Sequence, residues 1–291
     1  MGEKKTEYHK RSQMNSIVHR FVRNRSAMVG LVIFLIIFFG CTCAGLYMDY
    51  QQMAIKQDFM QQYQTPSLQH WFGTDQYGRD LFARIVFGGR TSLITSLMVI
   101  IVSTCLGAVI GALAGYYGGA VDNVIMRIND VFYSIPYTMM AICIAASMGG
   151  GMVNLGIACV VAVTPGNVRM FRAWVMPLKE SDYIEAARAY GTGDRRILLR
   201  HIIPNTLGPI IVQATLNLAG TIIAVAALSY IGLGVQSPNP EWGSMLSEAK
   251  TYMRDFPHMV IFPGVAILVS TLALNLIGDG LRDALDPRLK N

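Results

Sequence analysis

Five stretches of this chain carry no formal charge: residues 26–48, 91–121, 131–168, 202–240 and 256–278. Crossing the hydrocarbon core of a bilayer takes roughly 20 apolar residues in a helix. Within lipid every backbone N–H and C=O must find a partner inside the protein, which favours helices. The run 131–168 is too long for one span at about 1.5 Å per residue. Gly149, Gly150 and Gly151 divide it, which predicts a hairpin of two helices. Six spans are expected, at about 28–48, 92–115, 128–147, 153–173, 206–232 and 258–278. The fold class is all-α, a polytopic transmembrane helical protein. Composition agrees: 53% of the 291 residues are hydrophobic and 14% are charged, against about 25% charged in soluble domains.

Basic residues orient the spans. Lys4, Lys5, Lys10, Arg11, Arg20, Arg23 and Arg25 precede the first span, and loops rich in Lys and Arg stay in the cytoplasm. This predicts a cytoplasmic N-terminal segment 1–27, a first transmembrane span 28–48 and an outer loop 49–91. A transmembrane core 92–280 and a cytoplasmic C-terminal tail 281–291 follow. The loop 176–204 falls inside and carries Lys179, Arg188, Arg195, Arg196 and Arg200. The outer loop 233–257 has only Lys250 and Arg254. The formal net charge of +6 is therefore mostly a topology signal. No basic-aromatic cluster supports a nucleic-acid partner. The first apolar run is longer than the core of a cleavable signal peptide and begins after a long basic lead, so it reads as a retained span.

Cys41, Cys43, Cys105, Cys143 and Cys159 lie in or beside predicted spans, with no Cys-x-x-Cys pair. They read as reduced thiols acting as small hydrophobes, and the 17 methionines as packing. No metal site is expected. In the outer loop, Thr74 or Asp75 can cap a helix with Leu81, Phe82 and Ile85 on its apolar side and Arg79, Asp80 and Arg84 on its polar side. This predicts a short amphipathic helix at the outer interface, with Trp71 as an aromatic anchor. Asp122, Arg127, Asp130, Arg169 and Arg172 fall near inner span ends and read as structural ion pairs. Asn154, Asn167, Asn217 and Asn275 suit interhelical hydrogen bonds. Pro136 and Pro165 are expected to kink spans three and four.

The polar segment between spans four and five is the strongest functional signal. Span four is expected to end near Trp174, and Pro177 and Lys179 to mark a turn. Ser181 or Asp182 supplies an N-cap, and Glu185 near the helix start suits the dipole. Ala186, Ala187 and Ala189 form a narrow surface that another protein can approach. Gly191 and Gly193 end the helix. A basic second helix, Asp194 to His201, leads to Pro204 in the first turn of span five.

That spacing, Glu185-Ala186-Ala187 with Gly191 and later Pro204, resembles the EAA loop of ABC importer permeases. His201 stands where the broader pattern has an apolar residue, which narrows the resemblance to the peptide-importer branch. Further blocks resemble the second permease of the oligopeptide, dipeptide and nickel importers. They are Phe72 to Asp80 with Gly88 to Leu93, Gly115 to Gly119 with Asp122 and Arg127, and Ile135 to Tyr137. Ser229 to Gln236 with Trp242-Gly243, and Asn275 to Arg288, complete the set. Together they cover roughly residues 20–290.

The resemblance implies a type I ABC importer permease fold and a multi-pass place in the bacterial cytoplasmic membrane. It implies a non-catalytic subunit that moves oligopeptides or dipeptides by ATP-driven alternating access. The implied partners are a homologous second permease, two ATP-binding subunits, an extracytoplasmic substrate-binding protein and membrane lipid. Glu185, Ala186, Ala187, Gly191, Arg195 and Pro204 become the ATPase-coupling residues. ATP and Mg are used by the partner subunits, and no cofactor is expected on this chain. It has no Gly-x-x-x-x-Gly-Lys-Ser/Thr loop, no His-Glu-x-x-His pattern and no triad signature, so no catalytic residue is assigned. Substrate-binding residues stay unassigned at this level. A nickel or metal-chelate importer of the same family is the alternative reading, and a self-contained secondary transporter the alternative from another class.

Overall fold

A computed structural model describes residues 13–285. Among these residues the long regular elements are all helices, in the order α1 Gln13–Arg23, α2 Arg25–Thr42, α3 Leu81–Tyr117, α4 Gly119–Tyr133, α5 Tyr137–Met148 and α6 Met152–Lys179. There follow α7 Asp182–Ala189, α8 Asp194–Ile197, α9 Ile203–Tyr230, α10 Trp242–Ala249 and α11 His258–Leu285. Five segments are long and apolar enough to cross a membrane: α2, α3, α6, the run Asp194–Tyr230 and α11. α4 and α5 qualify only as a pair bent by 79°, which makes six if the pair is one span. Lys4, Lys5, Lys10, Arg11 and residues 286–291 lie outside the described residues.

Several sequence expectations need correction. Span three is not one helix over 128–147. Ser134, Ile135 and Pro136 break it, because proline cannot continue the backbone hydrogen-bond ladder. Pro165 and Pro177 lie inside an unbroken α6, which runs past Trp174 to Lys179. The turn is Glu180–Ser181. α11 likewise continues to Leu285, so residues 281–285 of the expected C-terminal segment are helical.

The expected amphipathic surface helix in 49–91 is also absent. Asp80, not Thr74 or Asp75, caps the helix through Ala83 N at 2.8 Å, and that helix is the first turns of the 37-residue α3. Arg79 and Arg84 do not face water; each is 1% exposed. They share the carboxylates of Asp75 and Glu248: Arg79 Nε lies 2.6 Å and Arg84 Nε 3.3 Å from Asp75. Glu248 accepts from Arg79 at 2.8 Å and from Arg84 at 3.1 Å. Alternation of polar and apolar residues looked like a wet face. The far partner, Glu248, comes from α10, and no local pattern announces it.

Small residues let the helices approach. Gly107, Gly111 and Gly115 recur every four residues along α3 and face α6. A Cβ on Gly107 would meet Asn167 Cβ at 2.5 Å, and one on Gly111 would meet Val168 O at 2.5 Å. Such small-xxx-small stripes replace the hydrophobic driving force that lipid removes. Ala27 and Gly30 of α2 seat it against α11 in the same way.

α10 is set between α3, α9 and α11. Trp242 is 1% exposed and donates Nε1–H to Ile85 O at 2.9 Å. Glu241 caps α10, accepting from Ser244 N at 2.8 Å and from Ser92 Oγ at 2.8 Å. Burial pushes its carboxyl group above the usual carboxylate range, against hydrogen bonds from Gly243, Ser92 and Ser244. α7 and α8 sit at the opposite end of the bundle, where α3 and α6 finish.

Candidate functional site

The hairpin between α6 and α9 is built by local rules. Ser181 stands at the N-cap of α7, although its Oγ donates back to Leu178 O at 2.5 Å rather than capping the helix. Asp182 and Glu185 occupy the first turn and Arg188 the last, the arrangement a helix dipole favours. α7 ends in a Schellman closure: Gly191 N donates to Arg188 O at 2.8 Å and Thr192 N to Ala187 O at 3.0 Å. Gly191 has φ +78°, a left-handed conformation that glycine adopts without strain. Gly193 has φ −66° and starts α8 instead. A π-helical turn, Leu198–Ile202, carries α8 directly into α9, with Pro204 in its first turn.

The hairpin is bolted down on one face. Ile184, Ile197, Leu198 and Ile202 are buried against Ala112, Tyr116 and Val175 of α3 and α6. Tyr116 donates its hydroxyl to Asp194 Oδ1 at 2.6 Å, and the Arg188 guanidinium lies over the Tyr116 ring at 5.3 Å. The other face is free. Glu185, Ala186, Gly191, Arg195 and Pro204 are exposed, while Ala187 turns inward and packs against the anchor. The exposed stripe also includes Tyr190, 91% exposed, which the sequence reading passed over. Its signal was a bulky aromatic next to the capping glycine. Arg195, Arg196, Leu199 and Arg200 rim a shallow hollow of about 560 Å³ beside it.

The hairpin joins α6 and α9, and these two helices wall a cleft of about 660 Å³ whose third side is the α4–α5 break. Phe132, Tyr133, Asn167, Gln213, Asn217 and Thr221 are among its lining residues, and no Asp, Glu, Lys, Arg or His is. α4 buries a single side chain, Asn129. It is held to α6 by polar contacts: Asn129 Nδ2 to Pro165 O at 3.2 Å, Asp130 to Arg169 at 2.6 Å, and a two-bond pair between Asp122 and Arg172. Arg169 also covers the Tyr133 ring at 4.0 Å. Of the charged residues read from sequence as ion pairs, Asp122–Arg172 and Asp130–Arg169 do pair between α4 and α6, whereas Arg127 makes no ion pair among the described residues; Asn167 and Asn217 do bond across helices, at 3.4 Å.

All five cysteines are free; Cys41 and Cys159 are buried and the other three exposed. No cluster of three His, Cys, Asp or Glu among the described residues is grouped to hold a metal ion.

Comparison with known proteins agrees with this geometry. Residues 107–291 match the family described as binding-protein-dependent transport system inner membrane component. Residues 12–66 match the N-terminal TM domain of oligopeptide transport permease C. The glutathione transport system permease protein GsiD of Pectobacterium atrosepticum is 41% identical over 280 residues, covering 94% of this chain and 90% of that protein. The dipeptide transport system permease protein DppC of Alkalihalophilus pseudofirmus is 45% identical over 228 residues, 78% of this chain and 75% of that one. Among solved structures, a chain of the MetNI methionine ABC transporter in inward-facing conformations superposes with a TM-score of 0.57 at 16% identity. It covers 70% of this chain and 97% of its own; at that identity the likeness speaks for the fold. With a family match over well more than half its length, a bundle of helices apolar enough to cross a membrane and an exposed helical hairpin at one end, the chain belongs to the binding-protein-dependent transport system inner membrane components, the multi-pass permease subunits of ABC importers.

Proposed function

We propose that this chain is one permease of a two-permease importer of peptides, driven by two separate ATP-binding subunits and fed by an extracytoplasmic binding protein. The relatives, a glutathione and a dipeptide transport system permease, support the substrate class. One observation carries the coupling: the exposed hairpin is the direct connection between α6 and α9, the helices that wall the cleft. α7 starts after two residues of turn, and α8 passes into α9 without a break. A push on Glu185, Ala186, Gly191, Arg195 or Pro204 therefore reaches both walls through rigid backbone.

Ala187 acts from behind, wedging α7 against its anchor. Tyr190 extends the contact surface, since a fully exposed aromatic suits the core of a protein interface. Orientation follows from charge. Lys179, Arg188, Arg195, Arg196 and Arg200 lie at the hairpin end, and α1 with Arg20 and Arg23 meets the same end of α11, where Asn24 lies 3.5 Å from Asp283. The positive-inside rule makes that end cytoplasmic. The exposed apolar faces of α4 and α5, including Val124, Ile128, Val131 and Met139, are the surface for the second permease, which would close the cleft into a path.

Cysteine cross-linking tests the docking. A cysteine at Ala186, in a background without native cysteines, should cross-link to an ATP-binding subunit in membranes. A cysteine at Leu68 on the far end should not. Cross-linking to the ATPase from Leu68 but not from Ala186 would invert the proposal.

A further inference from the structure

The cleft holds a chain of side-chain hydrogen bonds that runs in one direction. Ser103 of α3 donates its hydroxyl to its own helix at Ile100 O, 3.4 Å away. A hydroxyl has one proton, so the Ser103 oxygen can only accept from the next residue. Asn167 Nδ2 of α6 donates to it at 3.4 Å, Asn217 Nδ2 of α9 donates to Asn167 Oδ1 at 3.4 Å, and Gln213 Nε2 donates to Asn217 Oδ1 at 2.9 Å. Ser103 is 0% exposed and Asn167 3% exposed, so the chain is rooted in the protein. It surfaces at Gln213, which is half-buried and lines the cleft.

Aligned amide dipoles polarise one another in a low-dielectric setting. The end of this chain is an acceptor, Gln213 Oε1, and no donor among the described residues reaches it. The cleft around it contains no charged side chain. We infer that Gln213 Oε1 is a substrate-binding position that accepts an N–H group from the backbone of a passing peptide, and that the uncharged lining makes the site indifferent to the charge of the peptide's side chains. The inference rests on the peptide reading above and names the group on the peptide that is read. A site of this kind selects for amide N–H groups and tolerates sequence. A carboxylate at the same place would attract cationic peptides and repel anionic ones.

The test uses the complete importer in proteoliposomes, with saturating loaded binding protein and four tripeptides: Ala-Lys-Ala, Ala-Glu-Ala, trialanine and N-methylated trialanine. Wild type should import the lysine and glutamate peptides at similar rates and trialanine faster than its N-methylated form. Gln213→Glu should raise the lysine-to-glutamate import ratio about tenfold. Gln213→Leu, which keeps the bulk and removes the acceptor, should bring the ratio of trialanine to N-methylated trialanine close to one. Wild-type ratios in both variants would overturn the inference while leaving the peptide reading intact. A wild-type complex that hydrolyses ATP in response to the loaded binding protein yet imports none of the peptides would overturn the peptide reading and this inference with it.

Discussion

Arg172 grips Asp122 with two hydrogen bonds, 2.5 Å from Nε and 2.6 Å from Nη2, and so ties α4 to the helix that runs into the hairpin. The pair lies where water can reach it, so it is worth little to stability. Its side chains are 28% and 15% exposed, and partly exposed pairs contribute about 1 kcal/mol or less. Its value is mechanical. Arg172→Ala should leave expression and thermal stability nearly unchanged and reduce import severalfold, because α4 no longer follows α6. Exchanging the two residues, Asp122→Arg with Arg172→Asp, should restore part of the import. Undiminished import by Arg172→Ala would show that α4 moves independently of this contact.

Glu248 holds two buried arginines at once, Arg79 at 2.8 Å and Arg84 at 3.1 Å. Removing one partner from a buried ionic cluster leaves charge without compensation and typically costs about 3–5 kcal/mol. Glu248→Ala should therefore lower the unfolding temperature of the detergent-solubilised protein by several degrees. Lys56→Glu, on an exposed loop residue of the same end, should change it little. Differential scanning fluorimetry distinguishes the two, and equal unfolding temperatures would mean that the cluster is not structural.

Glu241 gives stability a pH dependence of defined sign. Burial raises its folded-state pKa above the ordinary carboxyl value of 4.5. A group raised in this way favours the folded state fully below the unfolded pKa, and the contribution is lost as pH rises through the folded one. Wild type should therefore lose stability on moving upward from about pH 4.5, and Glu241→Gln should show a shallower loss over the same range. Denaturation midpoints between acidic and neutral pH measure this. A variant with the wild-type slope would assign the dependence to other groups.

Charge-free runs made five of the six expected spans legible in the sequence, because in lipid an apolar run of sufficient length is nearly the whole requirement for a span; the remaining one is the bent pair α4–α5. The hairpin was legible too, since Glu185 in the first turn and Gly191 at the C-terminal closure follow local rules that need no tertiary information, although Ser181 holds the N-cap position without a side-chain cap. The bend at Pro136 was visible as a proline but not as a break of 79°, because Pro165 has the same chemistry and leaves α6 unbroken. What decides between them is packing: α6 is locked along α3 by Gly107, Gly111 and Gly115, whereas α4 buries one side chain, Asn129. Arg79 and Arg84 were misplaced on a water face for a related reason. Their partner Glu248 lies 164 residues beyond Arg84. The Ser103–Asn167–Asn217–Gln213 chain draws on three helices, and only its asparagines stood out as polar residues in apolar runs.

In the proposed function the hairpin transmits the work of the ATP-binding subunits to α6 and α9. The most direct test of that transmission is the number of peptides imported per ATP hydrolysed by the reconstituted complex carrying Gly191→Val or Glu185→Lys. Space is not the obstacle at Gly191, since nothing lies within 4 Å of an added Cβ. The cost comes from φ +78°, a conformation that burdens a side-chain-bearing residue by about 1–2 kcal/mol and that a β-branched residue adopts as an outlier. Glu185→Lys sets a positive charge at the start of α7, against the dipole. Neither change touches an apolar run, so both variants should insert and assemble. Peptide import per ATP should fall at least about tenfold in both. Wild-type coupling in both variants, at wild-type expression, would contradict transmission through the hairpin.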